Sequence, residues 1–390
     1  MCLISTLITQ RLIVSLYDKL SPATQSLTRG KHLLGFSGGV DSVALFFILL
    51  RLNVVFDMAI VHYHTRKEAD DEVAYAKDLA QKYNKRCFIA HAPHFHSHFE
   101  ANARSFRFGF FGEIIATHHY QSLILAHQLN DRLEWFMMQL VRGVGLSNLL
   151  GFEDSRSYPI IRPLESIPKN EIYQFCKDEG LAYFEDSSNN DMRFKRNYFR
   201  YTFCNELVNS FSEGIARSLM YLQKDKQTLL AALTPQALYL ESLSQALPLE
   251  SKQQCAIFAY NIIETHLLLL ACDKIAKRCG YVLSAKQRNE ILKSNFRCKI
   301  HHLIIVKNDF ALFIALDILN IYHLVTQNPM TKRFKTLCAK YHIPPKLRRL
   351  LWGEFCMSKN FHKNNDMKIK QEIQEDYKAF DLKIRHFFSF

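Results

Sequence analysis

Several things absent from this chain narrow what it can be. None of its 10 cysteines forms a Cys-x-x-Cys pair, which argues against a zinc ribbon or a dithiol redox motif and leaves free thiols as the expectation. The G-x-x-x-x-G-K-[ST] phosphate loop occurs nowhere, so any nucleotide must be held without a Walker lysine. No apolar run approaches the length of a membrane span, Val43–Leu50 and Leu267–Cys272 being the longest candidates. Met1–Leu20 is apolar in patches but broken by Gln10, Arg11 and Asp18, with neither a basic start nor a small-residue cleavage site. A secretory signal is therefore not expected, and a cytoplasmic protein without a membrane partner is. Internal repeats and low-complexity linkers are also lacking. Acidic residues are the scarcer charge, 37 against 50 Lys and Arg, and the formal net charge of +13 favours a polyanionic partner, nucleic acid or acidic membrane.

What is present describes a globular protein: 390 residues, 48% hydrophobic and 22% charged, long enough for two or three domains. Residues 11–20 read as an amphipathic helix ending at Ser21-Pro22. From His32 to about Pro163, strand-like runs (32–36, Met58–Tyr63, Cys87–His91, Ser122–Ala126, Pro159–Ile161) alternate with helical patterns near 42–52, 68–84, 99–117 and 131–141. That alternation predicts an α/β domain with a parallel, Rossmann-like sheet covered by helices on both faces. Beyond 211 the rhythm changes: 213–295 reads almost entirely helical, and a strand pair, His301–Val306 and Phe310–Ala315, follows. The last block is small, mixed and basic at its start. The expected division is 1–211, 212–318 (mainly helical) and 319–390 (small and mixed α/β).

The chemistry concentrates at the ends of the predicted strands, where parallel sheets bind ligands. Gly35-Phe36-Ser37-Gly38-Gly39-Val40-Asp41-Ser42 turns from the first strand into the first helix. Glycines let the backbone approach a bulky anion, the helix start offers N–H groups, Ser37 and Ser42 add hydroxyls, and Asp41 can hold a divalent cation against phosphate oxygens. After the fourth strand, His127 and Asp131 stand four apart near a helix start; a histidine there can bond phosphate, and Asp131 can serve a metal, orient a base or simply cap the helix. A third cluster, Asp186-Ser187-Ser188-Asn189-Asn190-Asp191, leads into Arg193, Lys195, Arg196 and Arg200, which face a polyphosphate, an RNA backbone or solvent. His64 with Arg66, and Arg104 with Arg107, are weaker candidates, since an arginine pairs with phosphate or with a surface carboxylate. Arg142-Gly143-Val144-Gly145 fails the G-x-G-x-x-G pattern because Asn148 occupies the third glycine position, and alone it reads as a helix C-cap. The run His91-Ala92-Pro93-His94-Phe95-His96-Ser97-His98 could place three histidines on one side of an extended segment, but it has no accompanying carboxylate pattern and is left outside the site.

Ser-Gly-Gly-Val-Asp-Ser resembles the pyrophosphatase loop of the N-type ATP pyrophosphatases, and the ordered set resembles the tRNA(Ile)-lysidine synthetases. The matching segments are 37–42, Ala126–Asp131, Arg142–Leu146, Arg162-Pro163-Leu164, 186–191 and Arg196–Arg200, with Thr331–Leu350 similar to that family's C-terminal domain. Departures are Asn130 and Arg132 flanking a single Asp131, and Thr65 where a glycine usually follows His64. The resemblance implies ATP and Mg2+ as co-substrate and cofactor, L-lysine and a CAU-anticodon tRNA(Ile) as partners, and formation of lysidine at the wobble cytidine through an adenylated intermediate. It implies ATP binding by Ser37, Gly38, Gly39, Val40, Asp41 and Ser42, metal at Asp41 and Asp131, and catalytic roles for Asp41, His127, Asp131, Arg107, Arg196 and Arg200. Lys332, Arg333, Lys335 and Arg348, in a stretch (Thr331–Arg349) with seven basic and no acidic residues, are implied to bind tRNA. Oligomeric state stays open between monomer and homodimer. Rival readings are a tRNA thiolase of the same superfamily, disfavoured by the missing Cys-x-x-Cys, and a non-catalytic tRNA- or nucleotide-binding protein, disfavoured by the intact Asp41.

Overall fold

The computed structural model describes residues 16–64, 68–97, 99–151, 158–185, 192–240, 256–262, 264–279, 281–317, 329–357 and 380–388. The Asp186–Asp191 cluster, Arg66, His98 and the 318/319 boundary fall outside them. The chain forms two compact units, one of Met1–Val141 with Leu150–Leu222 and one of Arg142–Leu149 with Gln223–Phe390.

In the first unit, β1 (His32–Gly35), β2 (Phe56–His62), β3 (Cys87–His91), β4 (Ser122–Ile124) and β5 (Ile160–Ile161) form one sheet in the order β3-β2-β1-β4-β5. Every pairing is parallel, with His32 opposite Phe56 on one side and Ser122 on the other. The crossovers are α1 (Val40–Arg51), α2 (Glu68–Lys82), α3 (Phe99–His118) and α4 (Leu129–Leu140). Successive strand residues point to opposite faces. Leu34 therefore joins a core with Val43, Phe46 and Ile48 of α1, while Leu33 joins Phe108, Phe111 and Ile115 of α3. A sheet buried on both faces needs near-continuous apolar strands, which is the pattern that the sequence carries. Strand order reverses between β1 and β4, so the crevice outside their C-terminal ends is where a ligand fits. After α5 (Lys169–Asp178), α6 (Lys195–Phe199) passes through a π-type turn, Arg200–Cys204, into the long α7 (Asn205–Ala232).

The second unit is built on an antiparallel sheet of β6 (Gln236–Tyr239), β7 (Ala256–Tyr260), β8 (Arg297–Ile300), β9 (Leu303–Lys307) and β10 (Leu312–Leu316), ordered β6-β7-β10-β9-β8. Among the described residues between 212 and 318 helices outweigh strands, but 213–295 is not almost entirely helical: it supplies β6 and β7, which join the expected strand pair in one five-stranded sheet. Phe258, Ile305 and Ile314 face α8 (Thr265–Arg278) and α9 (Ala285–Lys293). Ile257, Ile304 and Phe313 face α10 (Lys332–Lys340), α11 (Pro345–Met357) and residues 380–388. The basic block thus shares one core with the central sheet. The Arg142–Leu149 segment packs in this unit, where Ser147 Oγ donates to Asp273 Oδ2 at 3.0 Å and Lys226 Nζ donates to the Ser147 carbonyl at 2.7 Å.

Candidate nucleotide and adenylation site

Two glycines shape the loop after β1. A Cβ at Gly35 would sit 2.8 Å from Leu125 Cδ2, so a side chain here would push β1 away from the chain leaving β4. Gly38 has φ +78°, a left-handed conformation that an L side chain adopts at a cost, and a Cβ there would stand 3.3 Å from both Glu72 Cγ and Phe184 Cδ2. The loop is pinned from outside: the Phe184 N–H donates to the Gly38 carbonyl at 3.0 Å, immediately before the serine- and asparagine-rich segment. It is also pinned from within. Ser42 Oγ donates to the Gly39 carbonyl (2.9 Å) and accepts from the Ser37 N–H (3.3 Å). Helix α1 then begins at Val40, with Gly39 as its N-cap, and its first turn presents the N–H groups and dipole end that favour an anion.

Asp41 lies in that first turn. Its Oδ1 is sealed from solvent and has no hydrogen-bond partner among the described residues. Burial pushes its carboxyl up to about 7; Lys169 and Arg200 oppose the rise, whereas Asp131 and Glu134 add to it. An unsatisfied buried carboxylate oxygen is costly unless something binds it, and a hard divalent cation is the group that fits oxygen donors beside phosphates.

Helix α4 begins with a capping box: Gln128 accepts from the Asn130 N–H, and Asp131 Oδ2 accepts from the Gln128 N–H at 3.1 Å. Asp131 is therefore the N3 member of the capping box, with Gln128 as the N-cap. Its other oxygen accepts from Arg196 Nη2, and Arg200 Nη2 lies 3.9 Å away. Burial alone would raise this carboxyl, but Arg196, His127 and the Gln128 N–H outweigh burial and hold it below the usual range. With both oxygens engaged, Asp131 is poorly disposed to hold a cation alone. Asp41 fits that role better.

Glu134, one turn along α4, is fully buried and anchors both arginines. Arg196 Nε donates to Oε2 at 2.7 Å and Arg200 Nε to Oε1 at 2.6 Å. The carboxylates at i and i+3 on α4 meet the arginines at i and i+4 on the α6 stretch. Arg196 keeps 41% of its side chain exposed against 13% for Arg200, so Arg196 presents an open guanidinium edge while staying fixed by two carboxylates. The sequence reading gave Glu134 no role; its spacing from Asp131, matched to the Arg196/Arg200 spacing, is the signal that marks it. Asn130 ties the same corner together, donating to Asn205 Oδ1 (3.0 Å) and accepting from the Lys169 N–H (3.1 Å).

His127 takes its character from Arg162. The guanidinium Nε–H donates to His127 Nδ1 at 3.2 Å, so Nδ1 carries the lone pair and the ring proton sits on Nε2. Burial pushes the imidazole down to about 3; Asp131 opposes this, and Arg162, Arg196 and Arg104 reinforce it. His127 is therefore a neutral donor, not a base. Arg104 is the α3 arginine whose charge His127 feels, and the guanidinium groups of Arg104 and Arg107 lie 4.8 and 5.8 Å from the Phe108 ring. Electrostatic neighbours run from Asp41 through Asp131 and Arg196 to His127, which brings the loop, the second motif and the arginine cluster together.

The proposed RNA-facing residues lie in the second unit. Thr331 caps α10, accepting from the Phe334 N–H at 3.2 Å, and Phe334, Leu337 and Cys338 are buried while Lys332, Arg333 and Lys335 are exposed. Arg348 is half-buried and donates to the Ile343 carbonyl at 2.9 Å.

Residues 10–207 match the PP-loop domain family. A protein of Helicobacter hepaticus named tRNA(Ile)-lysidine synthase is 53% identical over 403 residues, covering 96% of this chain and 95% of its own length. Proteins of the same name from Helicobacter pylori (40% identical; 85% of this chain, 92% of theirs) and Campylobacter jejuni (37% identical; 84% and 94%) match similarly. No described helix is long and apolar enough to cross a membrane. A phosphate loop closed by Asp41, followed by a neutral His127 and the Asp131–Arg196–Glu134–Arg200 lattice, is carried on a chain that belongs to the tRNA(Ile)-lysidine synthase family.

Proposed function

We propose that the protein joins free lysine to C2 of the wobble cytidine, position 34, of a CAU-anticodon tRNA(Ile), with ATP consumed to AMP and pyrophosphate. In the first step the C2 carbonyl oxygen attacks the α-phosphorus and the bond to the β-phosphate breaks. In the second the lysine ε-amine attacks C2 and AMP departs with the former carbonyl oxygen. The residues from Ser37 to Ser42 cradle the phosphates, His127 Nε2–H donates to a phosphoryl oxygen, and the exposed edge of Arg196 meets the charge developing on the α-phosphoryl group. Glu134 and Asp131 hold that arginine in place before substrate arrives, so little reorganisation is left for the reaction itself. Asp41 would hold Mg2+, which supplies charge neutralisation of the leaving pyrophosphate. The wobble base must leave its stack to reach such a site. The exposed cations of α10, with Arg348 of α11, set the tRNA in register through its phosphates, without reading bases.

The observation that carries this reading is the buried, unpartnered Asp41 Oδ1 in the first turn after the glycine loop, electrostatically linked to the Asp131–Arg196 pair. Backbone geometry alone would not require an aspartate at this position. The test is mass analysis of nucleosides from a CAU-anticodon tRNA(Ile) transcript incubated with protein, ATP, Mg2+ and lysine. The expected product is a cytidine heavier by one lysine less one water. A thiolated cytidine, or no modification alongside tight ATP binding, would displace the proposal in favour of the thiolase or binding-module reading.

A further inference from the structure

Parallel pairing of β2 with β3 puts His62 directly opposite His91 at the strands' C-terminal ends, and His64 follows two residues later. His64, with φ +56°, turns the chain just after β2, and its ring packs on those of His62 and His91. The three rings converge, with centroids 4.0 Å apart for His62–His64, 5.2 Å for His62–His91 and 5.1 Å for His64–His91. One ring nitrogen from each lies within 4.8 Å of the others, and His64 Nε2 is 3.1 Å from His91 Nδ1. Tetrahedral zinc with Zn–N near 2.1 Å needs nitrogens about 3.4 Å apart, so one edge of the ligand triangle is already formed. His62 Nδ1 accepts from the His64 N–H at 3.2 Å, so Nε2, 3.1 Å from Asp70 Oδ1, is the nitrogen that can turn to a metal in exchange for that carboxylate contact. Of the described members of the histidine run, His94 and His96 pair with each other at 5.0 Å while His91 joins this trio, so the grouping comes from strand register and not from the run itself.

We propose that His62, His64 and His91 form a site for one imidazole-preferring divalent transition-metal ion, of the Zn2+ class, with a fourth position open to water or an anion. Imidazole donors select such ions over Mg2+, so this site is chemically separate from the oxygen donors at Asp41. The bound ion ties the ends of β2 and β3 together and adds positive charge on the sheet edge where the phosphate loop also lies.

The test strips the full-length protein with chelator, then titrates it with Zn2+ against a chromophoric competitor and with Co2+ by visible absorption. One equivalent is expected, with the intense visible bands of tetrahedral Co2+ and no thiolate charge transfer. His91→Ala and His64→Asn should each weaken it by at least the ~100-fold that even outer-shell changes can reach. Both ligand variants replace exposed side chains, and asparagine tolerates the positive φ at position 64, so the fold survives. A Zn2+-dependent rise in Tm in the parent and its absence in His91→Ala supplies a second readout. Absence of a stoichiometric equivalent, one that survives both substitutions, or one with thiolate charge transfer, overturns the site.

Discussion

Asp41→Asn should stabilise the ligand-free first unit at alkaline pH while destroying its chemistry. The folded carboxyl titrates near 7 because burial penalises its charge, against an ordinary 3.8. A group whose folded pKa is raised keeps its proton longer in the native state, so native stability falls as pH rises from about 4 to about 7 and stays lower above that. At about 1.4 kcal/mol per pH unit the ceiling is ~4 kcal/mol, and the amide's own imperfect burial trims the expected gain to about 2–4 kcal/mol at pH 8. The gain should shrink towards zero near pH 4, where both forms are neutral. Trp135 reports the first unit and Trp352 lies in the second, so urea unfolding is read from Trp135 fluorescence in a Trp352→Phe background. Mg2+ with ATP should remove the advantage by stabilising only the aspartate protein. A variant that is less stable than the parent at pH 8, or equally displaced at pH 4 and pH 8, would refute the reasoning about Asp41.

Other outcomes follow from the same contacts. Asp41→Asn should lower adenylation by at least ~100-fold in a pyrophosphate-release assay, the scale of losing one key electrostatic group; near-normal release removes it from the reaction. Glu134→Gln leaves Arg196 and Arg200 sharing a neutral partner, and should cost about 3–5 kcal/mol in denaturant unfolding, as breaking a buried pair does; a loss below ~1 kcal/mol would mean that Asp131 alone holds both arginines. Nitrogen NMR of labelled histidine should show His127 as the neutral Nε2–H form throughout pH 6–9, and an imidazolium signal at pH 6 would contradict the Arg162 contact. Neutralising Lys332, Arg333 and Lys335 together should weaken tRNA binding and flatten its log–log salt slope by about two to three. An unchanged slope assigns the patch to another partner.

How much of this was readable in advance depended on whether the signal was local. The five parallel strands and their crossover helices were legible because burial on both sheet faces writes continuous apolar runs, and the glycine loop was legible because Gly38's positive φ tolerates few substitutes. β7 was not: Ala256–Tyr260 is buried at every position, and a short, uniformly apolar run does not distinguish strand from helix. The basic block's packing on the central sheet, with Phe334, Leu347 and Phe355 in one core with Phe313, is a long-range fact that no local pattern announces. Asp131 was legible as a capping residue, and the structure has it close the box from the N3 position with Gln128 as the N-cap, its other oxygen on Arg196. Glu134 escaped notice because a buried glutamate in mid-helix has meaning only once Arg196 and Arg200 are seen beside it.

The central claim is that this loop transfers an adenylyl group to an RNA base before lysine takes part. ATP–pyrophosphate exchange measured without lysine tests it most directly. Exchange that requires the CAU-anticodon tRNA(Ile), and that Asp41→Asn abolishes, is the predicted result. Exchange that proceeds without tRNA, or that appears only once lysine is added, would contradict it.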